Sequence, residues 1–388
     1  MSGPVAFYAP LKPPDHPIPS GDRRMARALM AALRQSGHAV ELASRLRSFD
    51  RDGDLPRQQR VERLGQRAAD RLLERYRRRP PSARPHAWLT YHAYHKSPDW
   101  LGPAVSRGLG IPYLIAEASF APKQARGRWA LGHEAAERAI RAADVVLSLT
   151  RLDAEGLAPL IAPPAELRRL PPFLDPAPFQ AAASQRARHR AALAERLCLD
   201  PTVPWLLAVA MMRADVKRDS YLLLAEALAR LADRPWRLIA LGEGPARPEI
   251  EAALRALGPE RVVFGGVVSE GELAAWYAAA DLFVWPAVRE AYGLAMLEAQ
   301  ASGLPVVAGR EGGVSEVVQD GVTGILCAPR DARAFADAVA ALLDDPARRA
   351  AMAARARAFV AGERSLARAV GTLTDAFTAA QSIHEARR

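Results

Sequence analysis

Along its whole length the chain alternates short apolar runs with longer stretches whose apolar residues recur at helical spacing, and this rhythm leaves few architectures open. Residues 5–10 (VAFYAP) read as a strand, followed by a proline-rich loop and a helix from about Asp22 to Gln35 that Gly37 is placed to end. HAVELA reads as the next strand. After an arginine-rich helix come a strand at 87–92, a helix near 98–109, a strand at 112–118, a helix at 133–142 and a strand at 144–149. Strands separated by helices predict a parallel sheet covered on both faces.

Around residues 162–179 the sequence becomes IAPPAELRRLPPFLDPAPF, dense in proline, and predicts an interdomain link. A second α/β set follows, with strands expected at 205–211, 237–241, 262–264, 281–285, 305–308 and 324–327, helices between them, and a helical tail over 331–388. No repeat of 20 to 50 residues is visible, which argues against a solenoid. A chain of 388 residues fits about two domains.

The formal charge of +10 and pI near 10.1 are compatible with nucleic acid, a membrane surface or an acidic ligand as partner. Lysine occurs only at Lys12, Lys96, Lys123 and Lys217, however, and the rest of the basicity is arginine in a chain crowded with alanine and proline. That composition reads as a GC-rich coding bias, which weakens charge as a functional signal. No helix-turn-helix, zinc finger or RNP signature accompanies it, so nucleic acid is not an expected partner. Cys198 and Cys327 form neither a metal motif nor a disulfide framework, which fits a reducing cytoplasm. The N-terminus lacks a signal-peptide pattern, and the longest apolar run, 205–212, is too short to cross a bilayer. The most basic segment, 55–81, places Val61, Leu64, Ala68 and Leu72 along one helical face with arginines on the others. Two readings stay open there: contact with an anionic membrane surface, or packing of the apolar stripe on its own domain.

The chemistry concentrates in residues 281–318. DLFVWPA fits a buried strand and residues 293–301 fit a helix, so a loop at a strand's C-terminal end carries Glu290, and Glu298 follows about two turns down the helix. Such loops bind ligands in open parallel sheets, and helix N-termini favour anions. A carboxylate has four acceptor sites and suits two adjacent hydroxyls. A solvated helix residue and an ordinary loop carboxylate are the plain alternative. GREGGVSEVV holds a second glycine turn, Gly312-Gly313, that serves equally as ligand contact or simple turn. Gly242-Glu243-Gly244 begins like a dinucleotide fingerprint but lacks its third glycine.

Five segments in order, AVAMMRADVKRDSYLLLAEAL, LIALGEGPARPEIEAAL, RVVFGGVVSEGELAAWYAAADLFVWPA, EAYGLAMLEAQASGLPVV and GREGGVSEVV, resemble the retaining nucleotide-sugar glycosyltransferases of the large family 4, also called group 1. The resemblance covers roughly residues 205–330 and implies the α/β GT-B architecture, two Rossmann-like domains facing each other across a cleft. By it, Glu290 approaches the donor sugar's hydroxyls and Glu298 the ribose diol, while Tyr292, Gly293 and Leu294 offer backbone amides to the diphosphate. Arg213 and Lys217 resemble the basic pair that neutralises the leaving diphosphate; the family spaces that pair five apart, so Arg218 is a rival to Lys217. Gly242 would contact the nucleoside. In the less typical N-terminal half, Gly21 within residues 19–29 resembles the position that lets a loop approach the donor phosphates and acceptor, with capping by Ser20 or Asp22 as the alternative. Residues 90–100 put His92, His95 and Lys96 after a strand. The family's histidine after the next strand is replaced here by AEAS, residues 116–119, leaving His92 or Glu117 to substitute for it.

The resemblance further implies residues 1–172 as an acceptor-side domain, 173–365 as the donor domain and 366–388 as a C-terminal helix that could return to the first domain. It implies a UDP- or GDP-linked sugar as substrate, no separate cofactor, and no metal, since arginine and lysine take the metal's place. The acceptor would be a sugar or lipid-linked molecule, in cell-envelope or exopolysaccharide assembly, at a cytoplasmic location peripheral to the membrane's inner face. A GT-B epimerase or phosphorylase, or a non-catalytic basic binding protein, are the rival readings.

Overall fold

Every pairing between the named strands is parallel. The computed structural model describes residues 3–387; Met1, Ser2 and Arg388, at the ends of the ranges expected above, lie outside the described residues. The chain divides into two compact units, Met1–Pro172 with Leu366–Arg388, and Phe173–Ser365.

The first unit runs β1 (Val5–Tyr8), α1 (Gly21–Gln35), β2 (Val40–Ser44), α2 (Leu55–Arg77), β3 (Ala87–Ala93), α3 (Gly102–Leu109), β4 (Tyr113–Ala118), α4 (Ala130–Ala142), β5 (Val145–Ser148), α5 (Arg151–Leu157) and β6 (Glu166–Arg169). The second runs α6 (Ala177–Ser184), α7 (Arg186–Leu197), β7 (Trp205–Val209), α8 (Val216–Ala229), β8 (Arg237–Leu241), α9 (Arg247–Arg255), β9 (Val262–Gly266), α10 (Glu270–Ala279), β10 (Leu282–Trp285), α11 (Leu294–Ala301), β11 (Val306–Gly309), β12 (Gly324–Cys327), α12 (Ala332–Asp344) and α13 (Pro346–Glu363). The final helix, α14 (Leu366–Ala386), packs on α1, β4 and β5 of the first unit.

The sheets have orders β2-β1-β3-β4-β5-β6 and β12-β11-β10-β7-β8-β9. Central strands such as β1, β4, β5, β10 and β11 are buried throughout, as helices on both faces require, whereas edge strands β2 and β6 are half-buried. That difference explains why β6 does not stand out in the sequence. Glu166–Arg169 (ELRR) sits inside the proline-dense stretch expected to be a link, yet it pairs with β5 as an edge strand, where one half-buried face suffices.

The arginine-rich helix is rotated from the expected stripe. It buries Gln58, Gly65, Ala69, Leu72 and Tyr76, while Leu64 is 41% exposed. Gly65 sets this rotation: a Cβ there would stand 2.4 Å from Trp100 Cβ, so the helix lies close against that ring. Ala69, Leu72 and Tyr76 enter the first unit's core beside Trp88 and Tyr113. The buried line of α2 packs on its own domain, while Leu64 of the expected stripe stays exposed.

One device ties the start of an inner strand in each unit. Asp144, just before β5, accepts from Tyr113 N–H at 2.9 Å, and its own amide donates to Tyr113 O at 2.8 Å; Arg387 from the end of α14 donates to its other oxygen at 2.7 Å. Asp281, just before β10, accepts from Trp205 N–H at 2.8 Å and from Arg186 and Arg190 on α7 at 2.6 and 2.9 Å. Removing such an acceptor leaves a buried amide and an arginine unpaired. Asp144→Ala and Asp281→Ala are each expected to lower unfolding free energy by about 1–3 kcal/mol in urea titration, and unchanged midpoints would show that these ties carry no net stability.

Candidate nucleotide-sugar site

In an open parallel sheet, ligands bind beyond the strand C-termini where the strand order reverses, because the neighbouring connections leave toward opposite faces. The reversal falls between β7 and β10 in the second unit and between β1 and β3 in the first. The loop after β7 carries Arg213 and leads to Lys217 at the head of α8, and the loop after β10 carries Glu290. In the first unit the loop after β1 leads to Gly21 and Asp22 at the head of α1, and His92 is next to last in β3.

In the second unit, Lys217 and Glu290 meet in an ion pair whose side chains are only 17% and 13% exposed. Trp285, the last residue of β10, donates its indole N–H to Glu290 Oε2 at 3.1 Å, and the Lys217 ammonium lies 5.4 Å from the centre of that ring. Asp215 caps α8: its Oδ1 accepts from Lys217 N–H at 2.9 Å and its Oδ2 pairs with Arg213 Nε at 3.1 Å. Arg213 is therefore tied to the same turn, with its side chain about half exposed, and contacts Asp215 rather than Glu290. Arg218, the rival, pairs with Asp219 at 3.0 Å and approaches Glu249 at 3.9 Å. Ser220 Oγ accepts from Val288 N–H at 3.0 Å, fastening α8 to the Glu290 loop.

Gly293 is the N-cap of α11, in the left-handed conformation at φ 77°, and no side chain caps the helix among the described residues. The amides of the first turn, at Leu294 and after, therefore begin beside Glu290, whose Cγ would be 3.4 Å from a Cβ on Gly293. Tyr292 precedes this cap and is buried. Glu298 lies one turn into α11, not two, because the helix starts at Leu294; it is 4% exposed and accepts from Tyr277 O–H at 2.9 Å. It is not the solvated helix residue of the plain alternative. Gly242, at φ 139°, marks a close approach between loops, since a Cβ would stand 1.9 Å from Ala210 O, and its amide donates to Gly266 O at 2.8 Å.

The second glycine turn supports the first. Gly313 N–H donates to Ala291 O at 2.6 Å, Glu311 Oε2 accepts from Arg289 N–H at 2.6 Å, and a Cβ on Gly312 would meet Glu290 O at 2.0 Å. Sequence reasoning missed this buttress, and also Trp285, Tyr277 and Asp215, since each acts through a partner distant in sequence. Trp285 carried one available signal: it ends a buried strand at the side where site residues belong.

In the first unit, Ser20 is the N-cap of α1, with its Oγ accepting from Arg23 N–H at 3.2 Å. A Cβ on Gly21 would meet no atom within 4 Å, so packing does not demand glycine there. His92 lies 3.1 Å from Asp22 and 3.4 Å from Glu117, so the two proposed substitutes for the family histidine are neighbours. His95 and Lys96 pack instead on Trp129, the ammonium 4.3 Å from its ring centre. No group of three or more His, Cys, Asp or Glu able to hold a metal ion occurs among the described residues.

Gly312→Ala, which forces a Cβ onto the Glu290 carbonyl at a left-handed φ of 52°, is expected to cost about 1–3 kcal/mol of stability by urea unfolding. No change would mean that the 310–313 turn can leave Glu290 without cost.

Residues 203–345 match the family model described as glycosyl transferases group 1. The chain is 38% identical over 230 residues to the D-inositol 3-phosphate glycosyltransferase of Xylanimonas cellulosilytica, covering 57% of this chain and 54% of that protein. It is 36% identical over 228 residues to the GDP-mannose-dependent alpha-(1-6)-phosphatidylinositol monomannoside mannosyltransferase of Mycolicibacterium smegmatis, covering 55% and 57%. The chain thus spans about half the length of the curated relatives it matches. Among solved structures, sucrose-phosphate synthase from Thermosynechococcus elongatus superposes over 97% of this chain and 98% of its own, with a TM-score of 0.73 at 21% identity. The second unit carries a domain of the group 1 glycosyltransferase family, and the chain as a whole has the α/β GT-B fold.

Proposed function

We propose that the protein is a retaining glycosyltransferase that moves a hexose-type sugar from a UDP- or GDP-linked donor to a hydroxyl-bearing acceptor. The observation that carries this reading is the meeting of Lys217 and Glu290 beside the uncapped N-terminus of α11, at the sheet's reversal point within the family domain. A diphosphate at this place meets two cations, Arg213 and Lys217, and the helix amides that follow Tyr292 and Gly293, beginning at Leu294. As the sugar–phosphate bond breaks, charge builds on the diphosphate, and fixed cations lower that barrier. Glu290 holds Lys217 in place before the donor arrives and accepts from sugar hydroxyls afterwards. Glu298, oriented by Tyr277, receives the ribose diol, and Gly242 borders the nucleoside. On the first unit, Gly21 marks the place at the head of α1 where a ligand's polar group approaches, and His92 takes the part of the family histidine. The departing phosphate accepts the acceptor's proton on the same face, which retains configuration; positioning and electrostatics supply most of the rate.

A nucleotide at 100 times its Kd stabilises a protein by about 2.7 kcal/mol, so a thermal-shift series with UDP, GDP and ADP is expected to single out one base. Glu298→Ala is expected to weaken that nucleotide about tenfold or more by calorimetry, and Lys217→Ala to lower kcat about 100-fold. If no nucleotide stabilises the protein, or Glu298→Ala binds as tightly as the parent, the reading fails.

The proposal extends to an acceptor held at an anionic lipid surface. Arg60, Arg63, Arg67 and Arg71 lie on the outward face of α2 and make no ion pair among the described residues, whereas Arg75, Arg78 and Arg79 nearby are paired. Leu55 and Leu64 are exposed on the same helix. Each unpaired arginine contributes about 1 kcal/mol near an anionic surface. No helix among the described residues is long and apolar enough to cross a membrane. Flotation with phosphatidylglycerol vesicles is expected to carry the protein upward, and replacement of the four arginines by glutamine to abolish this; equal flotation of both would sink the membrane role.

A further inference from the structure

Two residues at the C-terminal edge of the first unit's sheet hold a backbone conformation that L-residues rarely adopt. His92 has φ 62° and Glu117 has φ 61°, each next to last in its strand. The pairing of β3 with β4 passes from Tyr91↔Ala116 to Ala93↔Ala118, so the two kinked residues stand opposite one another. Such conformations cost about 1–3 kcal/mol each and persist only where the surroundings enforce them, which is typical of functional sites.

The paired kinks bring the side chains together. His92 Nδ1–H donates to Asp22 Oδ1, in the first turn of α1, at 3.1 Å and lies 3.4 Å from Glu117 Oε1. From α5, Asp153 adds its charge, itself fixed by Ser119 Oγ and Thr150 Oγ1 at 2.6 Å each. The Tyr94 ring lies 5.2 Å from the imidazole, and Lys12, in the loop after β1, acts on Asp22. Nε2, the other ring nitrogen, has no hydrogen-bond partner among the described residues.

Burial alone would strip the proton from His92. The carboxylates Glu117, Asp22 and Asp153 overcome this and push the ring's pKa up to about 9. Burial raises the Glu117 carboxyl against the attraction of His92. For Asp22, burial is outweighed by the bond and charge of His92, and its carboxyl is held below the usual range.

We infer that Asp22 and Glu117 are positioning residues that hold the His92 ring charged and fixed at the reversal point of the first sheet, so that Nε2–H donates to an oxygen of the acceptor. The acceptor role rests on the glycosyltransferase reading; the charge state of the ring does not. An imidazolium has no lone pair, so His92 serves as a hydrogen-bond donor and a positive charge, and the acceptor's proton leaves by another route. Loss of the ring proton as pH rises through its pKa therefore removes function on the alkaline side.

The test follows the His92 ring by NMR in the full chain between pH 5.5 and 10, for the parent, Glu117→Gln and Asp22→Asn, with circular dichroism to check folding. The parent ring is expected to titrate well above 6.5, and each variant to bring the midpoint down by about one pH unit or more. In transfer assays, Glu117→Gln is expected to move the alkaline limb to lower pH and to raise the acceptor KM about tenfold at pH 8, while nucleotide affinity by calorimetry stays as in the parent. A parent ring that titrates at or below 6.5, or an alkaline limb that does not move in Glu117→Gln, overturns the inference. If no nucleotide binds, the transferase reading and the acceptor role fall together, and the ring titration still decides whether Asp22 and Glu117 hold the charge.

Discussion

Where a parallel sheet reverses its strand order, two neighbouring strands send their connections to opposite faces, and the space above their carboxyl ends is left without a crossing helix. This constraint organises both units. In the second sheet the reversal sets the head of α8, which follows β7, beside the β10 loop, and Lys217 closes on Glu290. In the first it sets β1 beside β3, and Asp22 closes on His92. The polar contacts at the two places differ, but each joins a residue at the start of a helix to one at or beyond the end of a neighbouring strand.

The opposite ends of the sheets have their own requirement. A strand that starts deep in a sheet presents an amide before the ladder has supplied its partner, and an unpaired buried amide is costly. Asp144 and Asp281 meet this need in the same way, each accepting the amide that opens the neighbouring strand and each braced by arginine from a helix outside the ladder. The amino ends of the strands are thereby fixed by charge-assisted bonds, which leaves the carboxyl ends to loops chosen for chemistry.

Elements with a strong internal pattern were legible from the sequence. The buried run of β10, the short helix α11 between Gly293 and Ser302, and the placement of Glu290 in the intervening loop all follow from residue type and period. What was not legible depends on tertiary partners. The half-exposed strand β6 carries no apolar run to announce it, and α2 turned its buried line toward Trp100 because Gly65 permits close approach, a fact that no helical wheel contains. In the candidate site, the carboxylates and cations stood out, whereas the groups that orient them did not. Trp285 and Tyr277 look like ordinary core aromatics until their polar tips are found on Glu290 and Glu298. The pairing of His92 with Glu117 arises from adjacent strands kinking at the same level, which neither segment reveals alone.

The return of α14 to the first unit has a consequence for the order of events in synthesis. Arg387 lies 243 residues beyond Asp144, the carboxylate that it braces, and the whole second unit is made in between. At about 5–20 residues per second, the first sheet waits on the order of tens of seconds for its last helix. During that time the faces of α1, β4 and β5 that α14 later covers remain open. The first part of the chain to be made is thus among the last to be finished.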